Sequence, residues 1–199
     1  MKKDNSTLSL KVLLRGNLLS EIKAPVVMET HGGYGGVWAK CYFSLPDGVV
    51  MEKDPQKAEA LSKQRPSWAV YECDCEQALR DGAGAHLPVN FLDIDPYGDP
   101  WHVIDAFFSS ERTFPSTLAI AVNDGLRQKV KINGGWDVQS LQSAVSRYGA
   151  ANTYKNYLEI CRKLIQEKAG KRGYTLTRWA GYYCGYEGQM THYAAVLNR

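Results

Sequence analysis

Val26-Val27-Met28-Glu29-Thr30-His31-Gly32-Gly33-Tyr34-Gly35-Gly36 is the stretch from which the rest of the chain is read. Short β-formers run into an acid and then into a turn dense in glycine, where backbone must pass close to something. In α/β proteins a strand that ends this way hands over to a helix whose free N–H groups face a ligand. Alone the pattern is weak. It gains weight because three further strand ends downstream carry acids at plausible spacings.

Outward from this turn, strands and helices alternate. Residues 8–22 read as one or two short amphipathic helices broken near Gly16-Asn17, and 24–29 as the first strand. Past the glycines, 37–43 reads as a helix stopped by Pro46-Asp47-Gly48. Residues 49–52 form a second strand, and Asp54-Pro55 caps a helix over 56–63, with proline at its first position. A third strand at 68–72 leads to a short helix at 76–80. A fourth at 89–93 leads to a helix at 101–108, and 117–122 is a fifth strand apolar enough for burial on both faces. A long helix is expected over 152–171, with Tyr154, Tyr157, Leu158, Cys161, Leu164 and Ile165 on one face. The end differs: 174–183 and 190–197 alternate as strands around Gly185-Tyr186-Glu187-Gly188, an antiparallel hairpin. The expected fold is α/β, a doubly wound, mostly parallel seven-stranded sheet with helices on both faces, in a single domain over 1–199.

Composition sets limits. A hydrophobic content of 44% and a charged content of 23% are those of a globular protein. No apolar run approaches the ~20 residues of a membrane span, and the basic start at Met1-Lys2-Lys3 is followed by no apolar stretch, so a cleaved leader is not expected. The five cysteines, Cys41, Cys73, Cys75, Cys161 and Cys184, are scattered and odd in number. They read as reduced thiols in a cytoplasm, and neither they nor His31, His86, His102 and His192 show a metal spacing.

The net charge of +3 hides an asymmetry. Residues 1–125 hold 12 Lys/Arg against 17 Asp/Glu, a balance of −5, while 126–199 hold 12 against 4, a balance of +8. A basic C-terminal part suits a polyanionic substrate, and it equally suits an ordinary solvated helix surface. Arg162, Lys163, Lys168, Lys171 and Arg172 gather near one helix end, as phosphate contacts or as a face favoured by the helix dipole. The aromatic residues Tyr174, Trp179, Tyr182, Tyr183, Tyr186 and Tyr193 of the hairpin read as sheet packing or as a wall beside a substrate.

Five alternating units followed by a hairpin is the element order of the class I, Rossmann-like S-adenosylmethionine-dependent methyltransferases, which the chain resembles over nearly its whole length. The family's Asp/Glu-x-Gly-x-Gly-x-Gly turn is matched by Glu29, Gly33 and Gly35, with His31 where the first glycine is expected and Gly32 and Gly36 keeping the turn open. The resemblance implies S-adenosylmethionine as cofactor, its methionine part against this loop. It further implies a ribose contact at Glu52, 23 residues after Glu29, and an adenine contact at Asp74, which is as well placed to be a helix N-cap. Lys53, Cys75 and Asp93 complete the implied cofactor set. A nicotinamide dehydrogenase shares the Glu29-glycine-Glu52 pattern, but it lacks here a clean Gly-x-Gly-x-x-Gly and does not account for the hairpin. On this division 1–23 is an N-terminal helical segment, 24–125 a cofactor-binding half and 126–199 a basic, substrate-side half.

The fourth strand points to the reaction class. Phe91-Leu92-Asp93-Ile94-Asp95-Pro96-Tyr97-Gly98 ends at the sheet edge where substrates enter. Methylating an exocyclic amine needs acceptors for its N–H groups, so that the nitrogen lone pair faces the methyl donor. Asp95 is assigned as amine acceptor, the Pro96 carbonyl as second acceptor and Tyr97 as the ring that stacks on the base. Asp-Pro-x-Gly is also a good type I turn in its own right. The stretch Asp93-Ile94-Asp95-Pro96-Tyr97-Gly98-Asp99-Pro100, followed by Ile104-Asp105-Ala106, is similar to the tRNA guanine-N2 dimethyltransferases, whose extra C-terminal domain this chain has no room for. A nucleic-acid base is the expected substrate, RNA before DNA, with a small molecule, a protein side chain or a non-catalytic binding role as alternatives.

Overall fold

The computed structural model describes residues 7–96, 98–133 and 139–199, and for residues 132, 133, 139 and 140 the backbone alone. Seven strands form one sheet in the order β3-β2-β1-β4-β5-β7-β6. They are β1 (Val27–Glu29), β2 (Gly48–Glu52), β3 (Ala69–Glu72), β4 (Phe91–Ile94), β5 (Thr117–Asp124), β6 (Thr175–Cys184) and β7 (Met190–Asn198). β1 to β5 pair in parallel, and β7 runs antiparallel between β5 and β6.

Alternation along the strands sends side chains to two cores. From β4 and β5, Phe91, Ala119 and Ala121 face one layer, and Leu92, Ile94, Leu118, Ile120 and Val122 the other. The first layer is closed by α1 (Leu8–Leu19), α2 (Trp38–Cys41) and α3 (Pro55–Gln64), through Leu14, Leu18, Trp38 and Leu61. The second is closed by α4 (Cys75–Arg80), α5 (Trp101–Ser109), α6 (Arg127–Asn133), α7 (Gln139–Tyr148) and α9 (Tyr157–Gly170), with α8 (Ala150–Lys155) leading into the last. Both faces are covered, as parallel sheets require. Among the described residues no helix is long and apolar enough to cross a membrane.

Several expected elements change shape for local reasons. The N-terminal helix is continuous through Gly16-Asn17. A helical glycine costs about 1 kcal/mol relative to alanine, and burial of Leu14 and Leu18 offsets it. The helix expected at 37–43 stops at Cys41, because Tyr42 leaves helical geometry (φ −120°, ψ 0°) and turns its ring into the core. The long helix expected over 152–171 is two helices. Asn156 breaks it (φ −107°, ψ 29°), its side-chain amide bonding back to the Asn152 side chain at 2.5 Å and the Asn152 carbonyl at 3.3 Å. The fifth strand extends to Asp124, and α6 and α7 were not anticipated.

Candidate active site

The chain runs outward from β1 through β2 to β3, then returns to place β4 on the other side of β1. The order reverses between β1 and β4, and in open α/β sheets ligands occupy the crevice beyond the strand ends at such a reversal. Glu29, Glu52 and Asp93 end or nearly end β1, β2 and β4 on this rim, where Glu29 pairs across the ladder with Asp93 and Glu52 with Glu72. Asp74 follows β3 at the start of α4.

The glycine loop is tied down on one side and open on the other. Thr30 N–H donates to the Asp93 carbonyl and Gly32 N–H to the Met51 carbonyl, both at 3.0 Å. Gly33 (φ 54°) and Gly35 (φ 76°) lie in the left-handed region that a side chain disfavours. A Cβ on Gly32 would collide with Val50 and Leu61, whereas one on Gly33 or Gly36 would meet nothing within 4 Å. Glu52 fastens the loop, its Oε2 accepting from Gly33 N–H at 2.7 Å and its Oε1 from Asp54 N–H at 2.9 Å.

Asp74 is the N-cap of α4: its Oδ1 accepts from the N–H groups of Glu76 (3.1 Å) and Gln77 (3.2 Å), while Oδ2 lies 3.8 Å from the exposed Lys53 ammonium. His31 bridges loop and helix. Its Nδ1 is 2.9 Å from Thr30 Oγ1 and its Nε2 3.5 Å from Cys75 Sγ. Burial lowers the His31 pKa against the pull of Asp95, Glu52, Asp93 and Asp74. Burial also pushes the Cys75 thiol up to about 12, which removes it as a nucleophile.

Two of the acids are committed to buried cations. The Glu29 carboxylate pairs with Arg65, whose guanidinium lies over the rings of Trp38 (4.8 Å) and Trp68 (5.1 Å). Burial raises Glu29 to about 7, with Arg65 opposing the rise. Asp93 meets Arg15 of α1 in a two-pronged contact, Nε to Oδ2 at 2.7 Å and Nη2 to Oδ1 at 2.5 Å, and also accepts from Tyr42 Oη at 2.7 Å. Both carboxylates are therefore buried and already paired at the strand ends.

Asp95 is different. It keeps about a quarter of its side chain exposed (24%) and meets Lys11 of α1, whose Nζ is 2.9 Å from both carboxylate oxygens. Asn123 Nδ2 donates to Oδ1 as well. Burial works to raise the Asp95 pKa, but Lys11, Arg15 and the two hydrogen bonds outweigh it and hold the carboxyl below its ordinary value. Pro96 is buried behind it. Tyr97 lies outside the described residues. The next residue, Gly98, accepts a 2.8 Å hydrogen bond from Gly125 N–H, which fixes the turn against the end of β5.

Solved structures share this architecture. Trm1 from Pyrococcus horikoshii, in complex with S-adenosyl-L-methionine, matches all of this chain over 56% of its own length, with a TM-score of 0.69 and 10% identity. The fold is that of the class I methyltransferases. M. jannaschii TYW2 in complex with AdoMet matches all of the chain over 78% of its own (TM-score 0.59, 12% identity). The plantazolicin methyltransferase BpumL, with a desmethylPZN analog and SAH, does so over 87% (TM-score 0.60, 11% identity). The chain thus spans little more than half of the Trm1 chain and most of the other two. No protein-family model and no curated protein sequence matches it.

Sequence reasoning missed Lys11, Arg15, Tyr42, Arg65 and Asn123. A signal for the first two was present: Lys11 and Arg15 stand four apart in α1, on the same helix face as the buried Leu14 and Leu18. A cation spaced with core positions needs a buried acid, and Asp93 and Asp95 are two apart on a strand leaving the sheet. Arg65 carried no such periodic cue.

Proposed function

We propose that the chain is an S-adenosylmethionine-dependent N-methyltransferase, formed by one domain over 1–199, acting on an exocyclic amine of a nucleic-acid base, with RNA favoured over DNA. One observation carries this reading: a glycine loop with one open face, flanked by strand-end acids, lies on the same rim as the quarter-exposed Asp95 at the sheet's order reversal.

The residues present fit the cofactor. At Gly33 and Gly36 the space a side chain would fill is open, and Glu52, which holds the Gly33 N–H, and Asp74 lie at successive strand ends beside it. The cofactor-facing set is Glu29, His31, Gly32, Gly33, Gly35, Glu52, Lys53, Asp74, Cys75 and Asp93. Glu29 and Asp93 act through the buried pairs they form at the strand ends, and Glu52 and Asp74 through carboxylates near the open face. When bound, S-adenosylmethionine supplies a sulfonium methyl that is electrophilic enough to need no strong base.

The protein's own task is to orient the amine. A carboxylate has about four lone-pair sites. Lys11 and Asn123 fill Oδ1 of Asp95 and Lys11 takes one site on Oδ2, which leaves a site for an amine N–H. The Pro96 carbonyl is assigned the second N–H, and Tyr97, from sequence alone, the base plane. Held this way, the amine keeps its lone pair toward the donor. A base within a duplex must first be flipped out.

Calorimetry with S-adenosylmethionine and with its demethylated product tests the cofactor, and absence of binding of either removes the reading. Labelled cofactor offered with separate total RNA, DNA and protein fractions tests the substrate. Label in RNA is expected, and label confined to protein moves the target. Asp95→Ala should retain cofactor binding and lose about a hundredfold or more of transfer, as misplaced reacting groups do.

A further inference from the structure

The structure divides the basic residues of the C-terminal part into spent and unspent. Arg162 is held by Glu159 through two contacts, Nε to Oε2 at 2.8 Å and Nη2 to Oε1 at 2.9 Å. Arg172 donates to the carbonyls of Phe108 (2.5 Å) and Ser110 (3.2 Å), and Lys168 to Asp105. These three fasten α9 to α5 or to itself. Lys163 and Lys171 remain on the exposed side, Lys163 meeting Glu159 only at 3.9 Å, and no ion pair is formed by Lys171 among the described residues.

Arg147 of α7 joins them from across a groove. Between α7 and α9 lies a cavity of about 200 Å³, lined by the cations Arg147, Lys163 and Lys171, by Lys168 with its ammonium already given to Asp105, and by Glu167 as the one acid of the lining. Tyr148 stands in it with the Arg147 guanidinium 6.0 Å and the Lys163 ammonium 5.8 Å from its ring centre. Lys163 on α9 and Lys171, the residue that caps its C-terminus, are eight residues and about 12 Å apart along the helix axis at 1.5 Å per residue. A positive groove with an aromatic face is the chemistry of single-stranded nucleic-acid binding: cations follow the phosphates and the ring takes a base. An anionic protein surface would use the charges but leave Tyr148 without a role.

We infer that the α7/α9 groove, through Arg147, Tyr148, Lys163 and Lys171, holds the phosphodiester backbone of single-stranded RNA outside the catalytic turn. The inference rests on the function proposed above and names where the substrate's non-reacting part is gripped.

The test uses the full chain and a fluorescent uridine 20-mer, with anisotropy read from 50 to 200 mM salt. Each phosphate contact on a single strand contributes about −0.7 to the slope of log K against log salt. Arg147→Gln/Lys163→Gln/Lys171→Gln should flatten that slope by about 2 and weaken binding at least tenfold at 100 mM salt. Cofactor affinity by calorimetry and the melting temperature should be unchanged, and Lys63→Gln on α3, a surface lysine elsewhere, should behave as wild type. A triple variant with wild-type affinity and slope overturns the groove while leaving the methyltransferase reading in place. A wild-type chain that binds S-adenosylmethionine but no RNA overturns both the groove and the RNA substrate. Tyr148→Ala, which removes no charge, should weaken binding with the salt slope retained, and loss of slope in that variant would equally count against the assignment.

Discussion

Lys11 Nζ lies 2.9 Å from each carboxylate oxygen of Asp95, joining the N-terminal helix to the turn that follows β4 across 84 residues of sequence. The contact gives the proposed amine acceptor a fixed position and a fixed charge. Lys11→Met should raise the Asp95 pKa, because its nearest cation is gone while its burial remains. The ionised acceptor would then be lost at higher pH, so the acidic limb of the kcat/KM profile should move toward neutrality with cofactor affinity unchanged. An unshifted limb would separate Asp95 from the rate.

Arg15 and Asp93 form a fully buried pair, so removing one partner leaves the other uncompensated. Arg15→Leu should cost about 3–5 kcal/mol of stability, measured by urea unfolding. The double change Arg15→Leu/Asp93→Asn should cost less than Arg15→Leu alone, since no stranded charge is left. A double variant worse than the single would contradict the pairing.

Gly35 is left-handed at φ 76°, and a Cβ there would come within 2.8 Å of Gln64 Oε1 and 3.3 Å of Arg65 Nη2. Gly35→Ala should destabilise by about 1–2 kcal/mol and weaken S-adenosylmethionine binding, because the loop must shift off α3. Calorimetry and a thermal melt on the same sample check both halves.

Asp124 contributes to the pH dependence of stability. Its buried carboxylate accepts from Tyr157 Oη (2.9 and 3.0 Å), Tyr193 Oη (3.2 Å) and Leu126 N–H (2.8 Å), with burial raising it to about 7. A folded pKa above the ordinary 3.8 means that between these values the native state holds more protons than the unfolded chain. Stability is greatest below about pH 4 on this account and falls as pH rises toward 7, by up to about 1.4 kcal/mol per pH unit for one group. Glu29, also raised to about 7 by burial, adds in the same direction. His192, lowered to about 4 by burial, works the opposite way over this window, so Asp124→Asn is read as a difference: relative to wild type its stability should gain as pH rises from 4 to 7.5, seen in urea midpoints. A slope unchanged by the substitution would exclude Asp124 as its source.

Periodicity made the sheet legible. The continuous apolar run of 117–122, the alternation of 190–197 and the strand-turn-helix of 26–36 made the element order and the terminal hairpin readable. What could not be read was pairing over long separations. Glu29 looks identical in sequence whether it faces a ligand or Arg65, 36 residues on, and nothing local marks Arg15 as the counter-charge of Asp93. Asp74 shows the same limit: a residue after a strand and before a helix satisfies an N-cap whatever else it contacts. The helix breaks at Asn156 although its apolar face runs on: Leu158 N–H donates to Tyr183 Oη and the Tyr154 carbonyl accepts from Arg127 Nε, long-range contacts that periodicity ignores.

β7 occupies an interior place in the sheet, hydrogen-bonded to β5 on one side and β6 on the other, although it follows every other strand in the chain. While a ribosome is still adding it, the apolar margin of β5 has no neighbour and β6 has nothing to lie against. The parallel half can collapse early, yet the finished layer waits for residues 190–198. Synthesis paused just short of them leaves an open, sticky edge, and that interval is where a nascent copy is most exposed to chaperone capture or self-association.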